Sequence, residues 1–249
     1  MVCTIEITEK PKLNNPILIE GLPGIGFIAN IAVLHLIREL KARRFAEIRS
    51  SSFQDLAVTT EKGNAWTPTN ELYCYKGDMG NRDLILWYGN TQALTTHGQY
   101  ELCGHVLDIA KSVGCNFVIT LGGFRQDEVR APPQMYAAAT DSETLNEALS
   151  LGAKIMVGQI FGLAGITIGV GKLKGFKGFS LLVETLGTHP DMNAAQVALE
   201  ALKKYVRVDL SRLDVTAEEV KKILETFGVI KTPVAEEKKK EEQPFRWFI

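Results

Sequence analysis

The sequence predicts an α/β protein, a three-layer α/β/α sandwich around a mostly parallel central sheet. Two runs carry most of that expectation. Asp83-Leu84-Ile85-Leu86-Trp87-Tyr88-Gly89 and Phe117-Val118-Ile119-Thr120-Leu121 are apolar without alternation, as in strands covered on both faces. The third observation is order: strand-like and helix-like segments alternate along the chain, which is the pattern of layered α/β folds.

Pro16-Ile17-Leu18-Ile19-Glu20 opens the series as a short apolar run bounded by Pro and Gly. The turn Gly21-Leu22-Pro23-Gly24-Ile25-Gly26 follows, and then a helix from about Phe27 to Lys41 with Ile28, Ile31, Ala32, Leu34 and Ile37 on its apolar side. Phe45 to Ser50, Leu56 to Thr60 and Glu71 to Lys76 read as strands, ahead of the Asp83 run. From His97 to Val113 the period is helical, with Leu102, Val106, Ile109 and Ala110 on one side. The Phe117 strand ends in a Gly122-Gly123 turn. Met135 to Ala139 and Gly178 to Glu184 are further strands, and Asp191 to Tyr205 is a helix.

Residues 1–230 read as one domain that includes a short C-terminal helix. Thr216 followed by Glu219 has capping-box spacing, Val220, Ile223, Leu224 and Phe227 give an apolar side, and Gly228 ends it. Residues 231–249 read as a flexible charged tail. Glu236 to Gln243 is nearly all Glu and Lys and has nothing to bury, so it cannot offset its ordering entropy. It finishes in Pro244-Phe245-Arg246-Trp247-Phe248-Ile249, with three aromatics in six residues. A solvated tether with an apolar tip implies somewhere for the tip to go.

Composition narrows the classes. The 249 residues are 45% hydrophobic and 23% charged, enough for an ordinary core. A net charge of −1 provides no field to attract nucleic acid or an anionic membrane. Cys3, Cys74, Cys103 and Cys115 are irregularly spaced, and Met1-Val2-Cys3-Thr4 opens no signal peptide, which together fit reduced thiols in a cytoplasm. The apolar stretch from Ile160 to Val170 is too short and too glycine-rich to span a bilayer.

Gly24-Ile25-Gly26-Phe27-Ile28-Ala29 satisfies the dinucleotide pattern G-x-G-x-x-G/A between a strand and a helix. It supports a nucleotide-dependent enzyme as the alternative reading. The acid that should close the next strand is missing, however: that strand ends Ile48-Arg49-Ser50-Ser51, with Glu47 inside it. The other use of such glycines is a tight turn that lets the helix pack close to the sheet. His35 sits in an apolar helix and is expected to be packed or hydrogen-bonded. His97 and His105 are too far apart to chelate as an i,i+4 pair, and His189 stands alone, so no metal site is expected. Arg125, Asp127, Glu128 and Arg130 gather after a central strand, which suits a catalytic loop, a solvated loop or an oligomer rim.

Taken in order, Pro16 to Ile28 (PILIEGLPGIGFI), Gly89 to Leu94 (GNTQAL), Gly98 to Leu102 (GQYEL), Val118 to Phe124 (VITLGGF) and Glu184 to Asp191 (ETLGTHPD) resemble successive motifs of the proteasome-assembly-chaperone family, in its archaeal branch. The resemblance runs from about Pro16 to Asp209. It implies a sandwich similar to nucleoside phosphorylases, no catalytic site and no cofactor, and self-associating chains that help proteasome α subunits assemble. A placement of the family near ATP-dependent carboxylate–amine ligases keeps a ligase-like enzyme as the rival class.

The tail separately resembles the hydrophobic–Tyr–any-residue terminus of proteasome activators, which docks in pockets of the α ring. On that resemblance Trp247 is the apolar anchor, Phe248 stands where Tyr is usual, Ile249 bears the carboxylate, and Phe245 adds a further aromatic contact. Folding back onto its own body, or contact with a membrane, are the other uses such a tip could have. The Glu residues beside Lys238 to Lys240 work against the membrane.

Overall fold

A computed structural model describes residues 3–59, 62–78 and 82–213. The helix expected from Asp214 and the tail at 231–249 lie outside the described residues.

The strands are β1 (Cys3–Ile7), β2 (Ile17–Gly21), β3 (Arg43–Ser50), β4 (Val58–Thr59), β5 (Ala65–Trp66), β6 (Asn70–Tyr75), β7 (Leu84–Gly89), β8 (Phe117–Arg125), β9 (Met135–Ala139), β10 (Lys154–Ile155) and β11 (Lys177–Thr185). The helices are α1 (Ile28–Glu39), α2 (Thr96–Ser112), α3 (Ser142–Ser150), α4 (Leu163–Leu173) and α5 (Met192–Val206). Among the described residues nine strands form one sheet, ordered β1-β3-β6-β7-β2-β8-β11-β9-β10, while β4 and β5 make a small separate ribbon.

The four central strands β7, β2, β8 and β11 are parallel. They are the strands whose residues lack alternation: β2 and β7 are buried throughout. Outside this centre the sheet is mixed, with one further parallel pair, β9 and β10. β1, β3 and β6 are antiparallel to their neighbours, and β9 runs antiparallel to β11. For β6 and β7 the reason is connection length. Residues 76–83 between β6 and β7 are too few to carry a crossover helix, so the chain can only turn back.

Helices cover both faces. Ile17, Ile19, Leu84, Leu86, Ile119, Phe179 and Leu181 point into one core beneath α1, α3 and α5. Leu18, Ile85, Trp87 and Val118, the intervening residues, point into the other beneath α2 and α4. That alternation within continuously apolar strands is the three-layer sandwich.

Some elements differ from expectation. Within the described part of the strand expected from Leu56 to Thr60, β4 takes in Val58 and Thr59. β1, α3 and α4 carried no expectation as elements. α4 forms although Gly165, Gly169 and Gly171 disfavour helix, because Leu163, Thr167 and Ile168 pack beneath it. No helix among the described residues is long and apolar enough to cross a membrane.

Candidate functional site

Because β2, β7, β8 and β11 are parallel, the segments that follow them emerge at one end of the sheet. The Gly21 turn, Gly89 to Leu94, the end of β8 at Gly122 to Phe124 (strand that continues to Arg125 where a Gly122-Gly123 turn was expected) and Glu184 to Asp191 therefore converge there. After β2 the chain passes to α1 on one face, and after the adjacent β7 it passes to α2 on the other. Such a divergence opens the crevice in which α/β proteins hold ligands.

Here a side chain bridges that crevice. Asn30 of α1 is fully buried and its Nδ2 donates to the Gly21 carbonyl at 3.1 Å and the Gly89 carbonyl at 3.0 Å. Asn70 supports the same corner. Its Nδ2 donates to the Thr91 carbonyl at 2.9 Å, and its Oδ1 accepts from Trp87 Nε1 at 2.7 Å. Gln92 Nε2 donates to the Pro23 carbonyl at 2.5 Å, and its Oε1 accepts from the Leu163 amide at 3.4 Å, tying three loops together. Sequence reasoning missed these amides. The available signal was Asn30 within Ile28-Ala29-Asn30-Ile31-Ala32, since a polar side chain on a buried helix face must find partners.

Two glycines of the turn approach protein closely: a Cβ on Gly21 would lie 2.3 Å from Val33 Cβ of α1, and Gly26 meets Thr185, whereas a Cβ on Gly24 would meet only Gln92 Nε2 at 4.0 Å. Gly26 has φ 65°, and a Cβ there would lie 2.9 Å from Thr185 Oγ1. A Cβ on Gly123 would lie 2.3 Å from the Ile25 carbonyl oxygen, and one on Gly187 2.7 Å from Ile25 Cγ2. The Asp191 amide donates to the Gly26 carbonyl at 2.9 Å. Asp191 also caps α5 through the Ala194 amide at 3.0 Å and accepts from Thr185 Oγ1 at 2.7 Å. Ahead of α1 the N-cap Phe27 is left-handed and offers no side-chain cap. Glu47, the acid nearest the place where the dinucleotide pattern wants one, pairs with Arg44 at 3.0 Å and with Arg49.

The polar loop after β8 separates in space. Arg130 turns back to pair with Glu184, a carboxylate 1% exposed that also accepts from Tyr136 Oη at 3.0 Å and the Gln134 amide at 3.1 Å. Burial alone would raise the Glu184 carboxyl, but these donors outweigh it and hold the group below the usual carboxylate value. Arg125, Asp127 and Glu128 stay exposed. His35 is held by a 3.1 Å contact from Nε2 to the Ser211 carbonyl.

Around the same end stand exposed apolar side chains: Ile25, Leu94, Phe161 at 82% and Leu186. Along α4, Leu173 is 87% exposed while Ile166 and Val170 are partly so. A groove of about 560 Å³ lies beside the crevice, over β3 and β6, between Trp66, Tyr88 and the Arg44–Glu71 pair. Its charges neutralise one another, with Arg44 at 2.5 Å from Glu71. Trp247, Phe248, Ile249 and Phe245 lie outside the described residues.

The spacing of the histidines along the chain offered no metal-ligand cluster. Folding brings Cys3 beside Glu101 and His105, a meeting that spacing along the chain could not show.

The sequence matches the PAC2 family model over residues 18–227. An uncharacterized protein of Methanocaldococcus jannaschii is 32% identical over 223 residues, covering 89% of this chain and 83% of that one. The crystal structure of Pyrococcus furiosus PbaB, described as an archaeal proteasome activator, superposes with a TM-score of 0.82 at 36% identity, covering 90% of this chain and 97% of that one. Pyrococcus furiosus PbaA, described as an archaeal homolog of proteasome-assembly chaperone, shares the fold with a TM-score of 0.73 at 24% identity, covering 91% of this chain and 98% of that one.

Proposed function

The chain belongs to the PAC2 family, and from that premise we propose that it is a non-enzymatic proteasome-assembly or proteasome-binding factor acting on the α ring. One observation carries the reading: over nearly the whole length of PbaB, described as a proteasome activator, this chain keeps 36% identity and the same fold. Two features of the body support it. The crevice that would hold a small ligand is bridged by Asn30, and in the turn Gly26 accommodates Thr185 while Gly21 accommodates Val33 of α1.

In this reading residues 231–243 are a tether and Trp247, Phe248 and Ile249 dock in α-ring pockets, with Phe245 alongside. A flexible coil of about 13 residues spans roughly 20 Å, enough for the tip to enter a pocket while the body stays outside. Burying a Trp and a Phe removes on the order of 300–500 Å² from water. That is a gross gain of about 8–12 kcal/mol. Immobilisation consumes much of it, leaving a single tail at about micromolar affinity. The exposed side of α4, with Leu173, Ile166 and Val170 around Gly169, is suited to packing copies of the chain together. Several tails on one oligomer then raise avidity by orders of magnitude.

Binding of α rings to the intact chain, to a version lacking residues 247–249, and to one with a residue appended after Ile249 tests this. The deletion should abolish binding with melting temperature and oligomer size unchanged, and the extension reports whether a carboxylate at that position takes part. Undiminished binding by the truncated chain refutes tail docking, and a loss of stability favours a tip folded back on the body.

A further inference from the structure

Away from the carboxyl end, three side chains of metal-binding chemistry meet between the sheet edge and a helix. The register of β1 sets Cys3 opposite Ser50, on the side of the strand whose Ile5 packs against the core beneath α2 and α4. Glu101 and His105 are four residues apart on α2 and so share one side of it. A Cys3 sulfur, a Glu101 carboxylate oxygen and a His105 ring nitrogen all lie within 4.8 Å of one another. His105 Nε2 is 3.8 Å from Glu101 Oε1, near the roughly 3.4 Å edge of a tetrahedron with bonds of about 2.1 Å.

A second observation concerns the other oxygen of the Glu101 carboxylate, whose side chain is 24% exposed. Glu101 Oε2 is sealed from solvent and has no hydrogen-bond partner among the described residues. A carboxylate oxygen deprived of both water and donors is unfavourable unless a cation or a donor completes it.

We propose that Cys3, Glu101 and His105 form a binding site for a divalent transition-metal cation of the zinc type. The donor set selects the class. Thiolate and imidazole suit Zn²⁺ and its neighbours, whereas Ca²⁺ and Mg²⁺ take oxygen ligands. Three protein ligands leave one tetrahedral position for water. The consequence is mechanical: among the described residues β1 lies at the edge of the sheet and pairs only with β3, and the cation would clip it to α2. Binding to the folded state alone then raises its stability.

The test uses the full chain freed of metal with a chelator and titrated with Co²⁺, followed by Zn²⁺. One equivalent of Co²⁺ should produce a near-ultraviolet thiolate-to-cobalt charge-transfer band that Zn²⁺ abolishes, and Zn²⁺ should raise the melting temperature. Cys3→Ser should lose the band, and Glu101→Gln and His105→Ala should each weaken Co²⁺ binding about tenfold or more. All three positions are partly exposed, so the metal-free variants should melt with the metal-free parent. Cys74, Cys103 and Cys115 are buried and serve as internal controls. Absence of the band at saturating Co²⁺, its persistence in Cys3→Ser, or binding indifferent to Glu101→Gln and His105→Ala would mean adventitious cation binding only and overturn the site.

Discussion

The two faces of the sheet are built on different terms. Beneath α1, α3 and α5 the core is aliphatic and aromatic, with Phe117, Phe179 and Tyr205 in mutual contact at centroid distances of 5.0–5.8 Å. Beneath α2 and α4 the same strands present a polar row. Trp87, Glu20, Thr120 and Ser180 stand side by side in register across β7, β2, β8 and β11. Thr120 Oγ1 donates to the Ala164 carbonyl at 2.8 Å, but Glu20 Oε2 and Ser180 Oγ have no partner among the described residues. The first face is sealed and serves stability. The second carries buried groups that cost stability and, on its outer side, the exposed apolar residues of α4. The face that is less well satisfied inside is the one that offers surface outside.

Substitutions on adjacent residues of one strand sharpen this contrast. Phe179→Ala on the sealed face should cost about 3–5 kcal/mol in denaturant unfolding at fixed protein concentration, the usual loss for a buried aromatic. A smaller and opposite effect is expected at Glu20. Desolvation pushes its carboxyl up to about 8 from an ordinary 4.5, only partly opposed by the backbone amides of Leu22 and Leu121. The folded state therefore keeps a proton that the unfolded chain releases above about pH 4.5. Stability should fall as pH rises through that window and level off beyond about pH 8. Glu20→Gln should flatten this profile and be roughly 1–2 kcal/mol more stable than the parent at pH 8. A flat profile in the parent would remove the distinction between the faces.

Ser180→Ala, one position from Phe179, should be neutral or raise stability by up to about 1 kcal/mol, because it removes an unpartnered buried hydroxyl. Leu173→Asp should leave the unfolding midpoint nearly unchanged at low protein concentration and reduce oligomer size in light scattering. An unaltered size would move the contact between copies away from α4.

How far the sequence reveals all this depends on the kind of signal. Ile17 to Glu20, Leu84 to Gly89 and Phe117 to Leu121 were legible because burial on both faces leaves an unbroken apolar run. The glycine content of Leu163 to Leu173 hid α4, since packing against β8 and β11 overrides propensity there. β1 was missed because it is a five-residue edge strand with one exposed face. At the candidate site, the glycine turn was visible and its second use, a close approach of helix to sheet, matches the contact of Gly21 in β2 with Val33 of α1. The Asn30 bridge and the meeting of Cys3 with His105 depend on tertiary contact, which no spacing along the chain encodes.

The claim that the tail recognises the proteasome is tested most directly by a synthetic peptide of residues 231–249 competing with the intact chain for immobilised α rings. The account predicts displacement only at peptide concentrations well above the micromolar affinity proposed for one tail, because an oligomer with several tails rebinds through the pockets still free. Full binding of the intact chain in the presence of saturating peptide would contradict it and assign recognition to the folded body.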